Sequence, residues 1–231
     1  MKYLLLIIFT FTDICSASSY DHLIDAAAQR HGLDRFVLRA LINVETQGNP
    51  WSFNCDGEGF SFDSKQEALI SLFQLSQNPW MVKVSTRSHQ KIRHFFPNRN
   101  FAETYLNELV NNSSDPAIAN IRILSDDEKA VHEGQARIRK LWMINTDIGI
   151  AQINYRYFGE NRPVQHWFDP AFNIDFAASL LAQHKQVTGD DIEAAGRYHS
   201  KTPSLRDLYL EKLIPAYNRE IANENSQIAS F

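Results

Sequence analysis

In one helix a carboxylate stands where the pattern asks for an apolar residue. Within Leu38–Pro50, Leu38, Leu41 and Ile42 fall at i, i+3 and i+4, the spacing of one helix face. Glu45 is the next member of that stripe, and Gly48 ends the helix shortly after it. A carboxylate withdrawn from water is disfavoured in its charged form, so its pKa rises. A carboxylic acid that keeps its proton near neutral pH can give it to a leaving group, which is general-acid chemistry. The structural alternative for Glu45 is an ion pair with an arginine, or escape to solvent from the helix end. A second stretch rich in polar groups, Asp147-Ile148-Gly149-Ile150-Ala151-Gln152-Ile153-Asn154, follows about a hundred residues later.

The elements around these two stretches are legible from local signals. Leu23, Ile24, Ala27 and Ala28 make a helix from Tyr20 to His31 that Gly32 closes, and Asp34 caps the helix carrying Glu45. Asn49-Pro50 stops it. Trp51 to Phe62 alternates about a Gly-containing turn and reads as a hairpin. Ser64 with Glu67 forms a capping box for a helix to about Ser76, and Trp80 to Ser85 reads as a short strand. From Thr86 to Phe96 the chain is basic and aromatic. Either it is a nucleic-acid patch or a solvated helix face with an aromatic anchor, and its shortness favours the helix face. Asn100 with Glu103 opens a helix to about Asn112, and Ser125 with Glu128 opens a polar helix to about Lys140. Asp169-Pro170 starts a helix that Gly189 ends. Asp190 caps another to about Tyr198, and Ser204 caps a last one to about Asn218, which Pro215 kinks or shortens. The polar tail from Asn223 is expected to fray.

Composition sets the outer bounds. The 231 residues suit one domain with or without a large insertion, and 44% hydrophobic with 22% charged residues is ordinary for a globular protein. A net charge of −4 gives no electrostatic case for nucleic acid. Lys2, the apolar run Tyr3 to Phe11 and the small residues up to Ser18 have the form of a signal peptide, residues 1–17, cleaved after Ala17. The expected location is therefore periplasmic or secreted, without stable membrane insertion. With Cys15 removed, Cys55 has no internal disulfide partner. The eight histidines show no ligand spacing, so neither metal nor other cofactor is expected.

Three segments taken together resemble the SLT domain of soluble lytic transglycosylases, which has a lysozyme-like fold. Ala40-Leu41-Ile42-Asn43-Val44-Glu45-Thr46-Gln47-Gly48-Asn49-Pro50 is similar to that family's A-hydrophobic-x-x-V-E-S-x-x-N-P, with Thr46 in place of Ser. Asp147 to Asn154 is similar to its G-L-M-Q-I motif, in the form found in transglycosylases encoded with conjugation and type IV secretion systems. Ala194-Ala195-Gly196-Arg197-Tyr198-His199-Ser200 is similar to A-x-x-Y-N-x-G, with His199 where Asn is commoner. Asp169-Pro170 and Asn173 also match the helix between the second and third motifs. The resemblance covers roughly residues 20–62 and 147–213. It implies a mainly α, α+β lysozyme-like domain (18–231) with a small hairpin. Residues 63–146 are then an insertion, expected to be mostly helical with at least three helices.

The resemblance also implies a chemistry. The target is peptidoglycan, at the β-1,4 bond between N-acetylmuramic acid and N-acetylglucosamine. Glu45 serves as acid and then base, and the muramic 6-hydroxyl captures C1 to give a 1,6-anhydro sugar. Asp147 is a possible second carboxylate. If it faces the cleft, a lysozyme-type hydrolysis through Glu45 and Asp147 becomes the alternative. Otherwise it fixes the turn before Gly149. Thr46, Gly149, Gln152, Asn154 and Tyr198 are the candidate substrate-binding residues, with backbone satisfaction or core packing as their structural alternatives. Trp51, Trp80, Trp142 and Trp167 can stack on sugars or fill the core. The implied partners are glycan strands and proteins of a secretion or conjugation apparatus. A further alternative is a non-catalytic wall-binding assembly factor.

Overall fold

The computed structural model describes residues 20–128, 130–159 and 162–228. The expected signal peptide lies outside them. The chain is mixed α+β and divides into two compact units. No described helix is long and apolar enough to cross a membrane.

The first unit comprises the described residues up to Ala68 together with the chain from Asn145 onward. Helix α1 (Asp21–His31) ends on left-handed Gly32. Helix α2 (Arg35–Thr46) starts at Asp34, whose side chain accepts from Phe36 N at 2.8 Å. It stops where Gln47 and Gly48 both take positive φ. Strands β1 (Ser52–Cys55) and β2 (Glu58–Ser61) form the expected hairpin. Its two-residue turn, Asp56-Gly57, has positive φ at both positions, which suits the twist of the strands. A short β7 (Thr146–Ile148) and β8 (Ile153–Asn154) extend the sheet in the order β2-β1-β7-β8.

Register gives this sheet two different faces. Phe53, Ile148 and Ile153 lie side by side and are buried, while Asn54, Asp147 and Asn154 line up on the opposite face. Two short helices follow, α5 (Tyr155–Phe158) and α6 (Val164–Trp167), then α7 (Pro170–Thr188), capped by Asp169, and α8 (Asp191–His199), capped by Asp190. The last helix, α9, runs from Pro203 to Ile228, with Pro215 inside it. It neither stops near Asn218 nor frays from Asn223. Tyr209, Leu213 and Ala216 form a buried stripe, and α9 packs against α2 and α8. Farther along, Glu224 pairs with Arg35 and Arg39. Tertiary packing outweighs the local penalty of about 3 kcal/mol for an internal proline.

The second unit holds the described residues of 69–144, entered within α3 (Lys65–Gln77). The expected mostly helical insertion is corrected here. Its described residues carry two helices, α3 and α4 (Arg99–Asn111), and a four-stranded sheet. The strands β3 (Trp80–Ser85), β4 (Lys91–Phe96), β5 (Arg122–Ile123) and β6 (Gln135–Lys140) stand in the order β4-β3-β6-β5. Val82, Val84 and Ala136 pack with Ala102 and Leu106 of α4. The basic run expected on a helix is β4 instead. The Ser125–Glu128 box does form: Ser125 N and Oγ donate to Glu128 Oε2 at 3.1 and 2.9 Å. It closes a turn rather than a helix, because Ala136 and Ile138 alternate toward the core and β6 gains a ladder with β3. Asn98, not Asn100, caps α4.

One buried polar side chain ties the first unit together. Asn173 of α7 is fully buried; its Nδ2 donates to Ile148 O and Trp167 O, both at 2.9 Å, and its Oδ1 accepts from Ala151 N at 2.9 Å. Asn173→Ala leaves three buried backbone groups without that partner. The expected loss is about 3 kcal/mol or more, read as a lower denaturation midpoint in urea with an unchanged m-value.

Candidate active site

The Glu45 carboxyl sits on the last turn of α2 with its side chain 15% exposed. Burial raises its pKa to about 7; the charge of Asp147 adds to the rise, and Tyr209 and Lys212 oppose it. The Tyr209 hydroxyl is buried beside the carboxyl. It falls short of a well-aligned hydrogen bond, yet its dipole still favours the ionised form. Burial and the neighbouring Glu45 charge push the tyrosine itself well above its ordinary range. His199 Nδ1 lies 3.9 Å from Glu45 Oε1, and its ring stacks on Tyr209 at 4.3 Å and 7°. Partial burial, with help from Lys212, lowers the histidine's pKa. Glu45 thus meets a phenol, an imidazole, an ammonium and a second carboxylate, and has no close arginine partner among the described residues.

Asp147 lies on β7, on the polar face of the sheet. Asn154 Nδ2 donates to Asp147 Oδ1 at 2.7 Å, while Asn154 Oδ1 caps α5 by accepting from Arg156 N at 3.1 Å. Burial raises the pKa of Asp147 and the Asn154 hydrogen bond lowers it, with burial the larger effect. The charge of Asp147 also raises the pKa of Glu45.

After Asp147 comes a tight turn, residues 149–152, whose backbone is held from three helices. Thr46 Oγ1 of α2 donates to Ile150 O at 2.7 Å. Tyr198 Oη of α8 donates to Ala151 O at 2.7 Å. Asn173 of α7 holds Ala151 N. Gln152, at φ 50°, donates back to Gly149 O at 2.8 Å. Gly149 has φ +83°, and a Cβ there would stand 2.2 Å from Trp167 O and 2.4 Å from Asn173 Nδ2. Glycine is required on both counts.

These contacts redistribute the expected roles. Glu45 and Asp147 share the site. Thr46, Gln152 and Tyr198 donate to the turn backbone, the contact expected of them as the structural alternative. Asn154 holds Asp147. Gly149 acts through its conformation and its close approach to Trp167 and Asn173. Trp167 is core; Trp51 is half-buried, and Trp80 and Trp142 belong to the second unit. Tyr209 and Lys212 were not legible as site residues. The only signal at Tyr209 is a phenol within an apolar stripe, which needs a partner for its hydroxyl. No protein-family model, curated protein or solved structure matches the chain.

The raised acid makes stability depend on pH. As pH climbs, Glu45 loses its proton at about 4.5 in the unfolded chain but only at about 7 in the folded one. Between those values the folded state binds the extra proton, so rising pH removes stability. The shift corresponds to about 3 kcal/mol. Denaturation of wild type and Glu45→Gln from pH 4 to 8 is expected to show the wild type losing stability relative to the variant across this window, with the difference flat above it.

Proposed function

We propose that the chain is an exported peptidoglycan lytic transglycosylase with Glu45 as its acid and base. The observation that carries this reading is the Glu45 carboxyl, buried at a helix end with its pKa near 7. An acid so poised is protonated in a useful fraction of molecules at neutral pH and can return as a base once it has given its proton away. In the proposed cycle it protonates the oxygen between N-acetylmuramic acid and N-acetylglucosamine as that bond breaks. The carboxylate then takes the proton of the muramic 6-hydroxyl while that oxygen bonds C1, assisted by the N-acetyl group. No water enters the product.

The state of Asp147 supports a single working acid. Asn154 occupies one of its oxygens, and its pKa is raised, so it is less ready to act as a nucleophile than a solvated carboxylate. Its electrostatic action on Glu45 is the one observation that favours the second reading, a muramidase using both carboxylates. The polar residues that clamp turn 149–152 fit either, since both need Glu45 and Asp147 held in place. Export and a role beside a secretion or conjugation apparatus rest on the N-terminal segment and on the motif resemblance.

Digestion of purified sacculi, read by mass spectrometry, separates the readings. The expected wild-type products are anhydro-muropeptides, one water lighter than hydrolytic ones, and Glu45→Gln yields none while remaining folded. Reducing-end products would establish hydrolysis. Equal cleavage by wild type and Glu45→Gln would end both.

A further inference from the structure

Helix α8 ends on His199, whose Nδ1 lies 3.9 Å from Glu45 Oε1. The two side chains differ in their access to water: that of Glu45 is 15% exposed and that of His199 is 45% exposed. The imidazole lies flat on the buried Tyr209 ring, with centroids 4.3 Å apart and planes 7° apart. The stack fixes the plane of the imidazole, and with it the direction in which the ring nitrogens point. Helices α2, α7 and α9 pack on α8. Glu45 faces the histidine from α2. Tyr209 and Lys212 face it from α9, and the ammonium helps burial to lower its pKa. On α7, Asp175 pairs with Arg30 and His31, Lys185 pairs with Asp191, and His184 lies under the influence of Arg197 and Lys201. Asp147 acts on Glu45 and on Tyr198. Among the described residues, the carboxylate within ion-pair distance of His199 is therefore Glu45.

We propose that His199 sets the acid limit of the reaction, because Glu45 can return as a base only beside a neutral imidazole. The inference deepens the reading of Glu45 as acid and base, and rests on it. An opposite charge within about 4–6 Å favours an ionised carboxyl by about one to three pH units. Imidazolium therefore eases the first proton transfer and hinders the rest of the cycle. It holds the new carboxylate in an ion pair, a base weaker by about tenfold or more when the 6-hydroxyl proton must be taken. It also opposes the positive charge that forms at C1 as the glycosidic bond breaks. The working form is thus protonated Glu45 beside neutral His199. Its population falls at high pH as Glu45 ionises and at low pH as His199 takes a proton. Two such groups give a bell-shaped profile, whereas a lone acid gives a plateau at low pH. The lowered pKa of His199 keeps the ring neutral over a range in which Glu45 still holds its proton. His199 acts through Glu45, so it is a positioning residue and needs no contact with the sugar.

The test is the pH profile of sacculus cleavage, from about pH 4.5 to 9, for the wild type, His199→Phe and His199→Gln. Phenylalanine keeps a ring on Tyr209 without a titratable nitrogen. Glutamine serves if that variant does not fold, which circular dichroism checks across the range. The wild type is expected to be bell-shaped, falling about tenfold from its maximum at the acid end. The variants are expected to lose the acid limb and to keep the alkaline one, which belongs to Glu45. A residue that only packs would lower the rate at every pH and leave the shape unchanged. That result, or an acid limb retained in the variants and so owed to Asp147, overturns the proposal. A second readout needs no turnover: NMR titration of the Glu45 carboxyl carbon and the His199 ring. Coupling is expected to give the Glu45 curve a second step at the His199 midpoint, absent in His199→Phe. Identical Glu45 curves in the two proteins would overturn the pair itself. Two steps without cleavage at any pH would overturn the reading of Glu45 as a glycan acid while establishing the pair.

Discussion

The structure of the first unit turns on keeping one carboxyl group out of water. Helix α2 places Glu45 at the end of a stripe whose earlier members, Leu38, Leu41 and Ile42, are fully buried. The geometry that continues this stripe into the site also desolvates the acid. Desolvation is the largest influence on its pKa, ahead of the second carboxylate, the phenol and the ammonium. The penalty falls on stability at neutral pH, where the folded chain must hold either a buried charge or a bound proton. A general acid requires that compromise, whereas a purely structural helix end would gain nothing from it.

A second constraint lies in the turn that follows Asp147 and is hydrogen-bonded to the end of the helix carrying Glu45. Turn 149–152 contains two residues of positive φ, Gly149 and Gln152, and an unassisted chain would not settle there. Thr46, Tyr198 and Asn173 reach it from three helices, each by a hydrogen bond of 2.7–2.9 Å to its backbone. Asn154 then orients Asp147 from the neighbouring strand. Residues that look in sequence like ligand contacts make hydrogen bonds within the fold, to the turn backbone and to Asp147. Substitution of one of them therefore acts on the site through the position of the turn.

Much of this was legible before any coordinates. Asp34, Gly32 and the stripe of α2 define the helix that carries Glu45, because capping and periodicity agree there. Asp56-Gly57 defines the hairpin, and Asp169-Pro170 and Gly189 bound α7. The second unit was harder. Ser125 and Glu128 make the predicted capping bonds, yet a capping box fixes only a turn, and strand pairing decided what followed it. Residues 91–96 looked helical because their charges hid a two-residue alternation, which only the partner strand β3 and the helix α4 packed on the sheet reveal. At the site, Tyr209 and Lys212 come from a helix far along the chain. Nothing local to them indicates that α9 would bring them to Glu45.

The central claim is that Glu45 holds its proton to near neutrality because it is buried beside Asp147. The direct measurement is the titration of its side-chain carboxyl carbon by NMR, assigned by loss of the signal in Glu45→Gln. The expected midpoint in the wild type is about 7, and in Asp147→Asn it moves lower, because a neighbouring negative charge has been removed. A wild-type midpoint at the ordinary value near 4.5, or no movement in Asp147→Asn, would contradict the account.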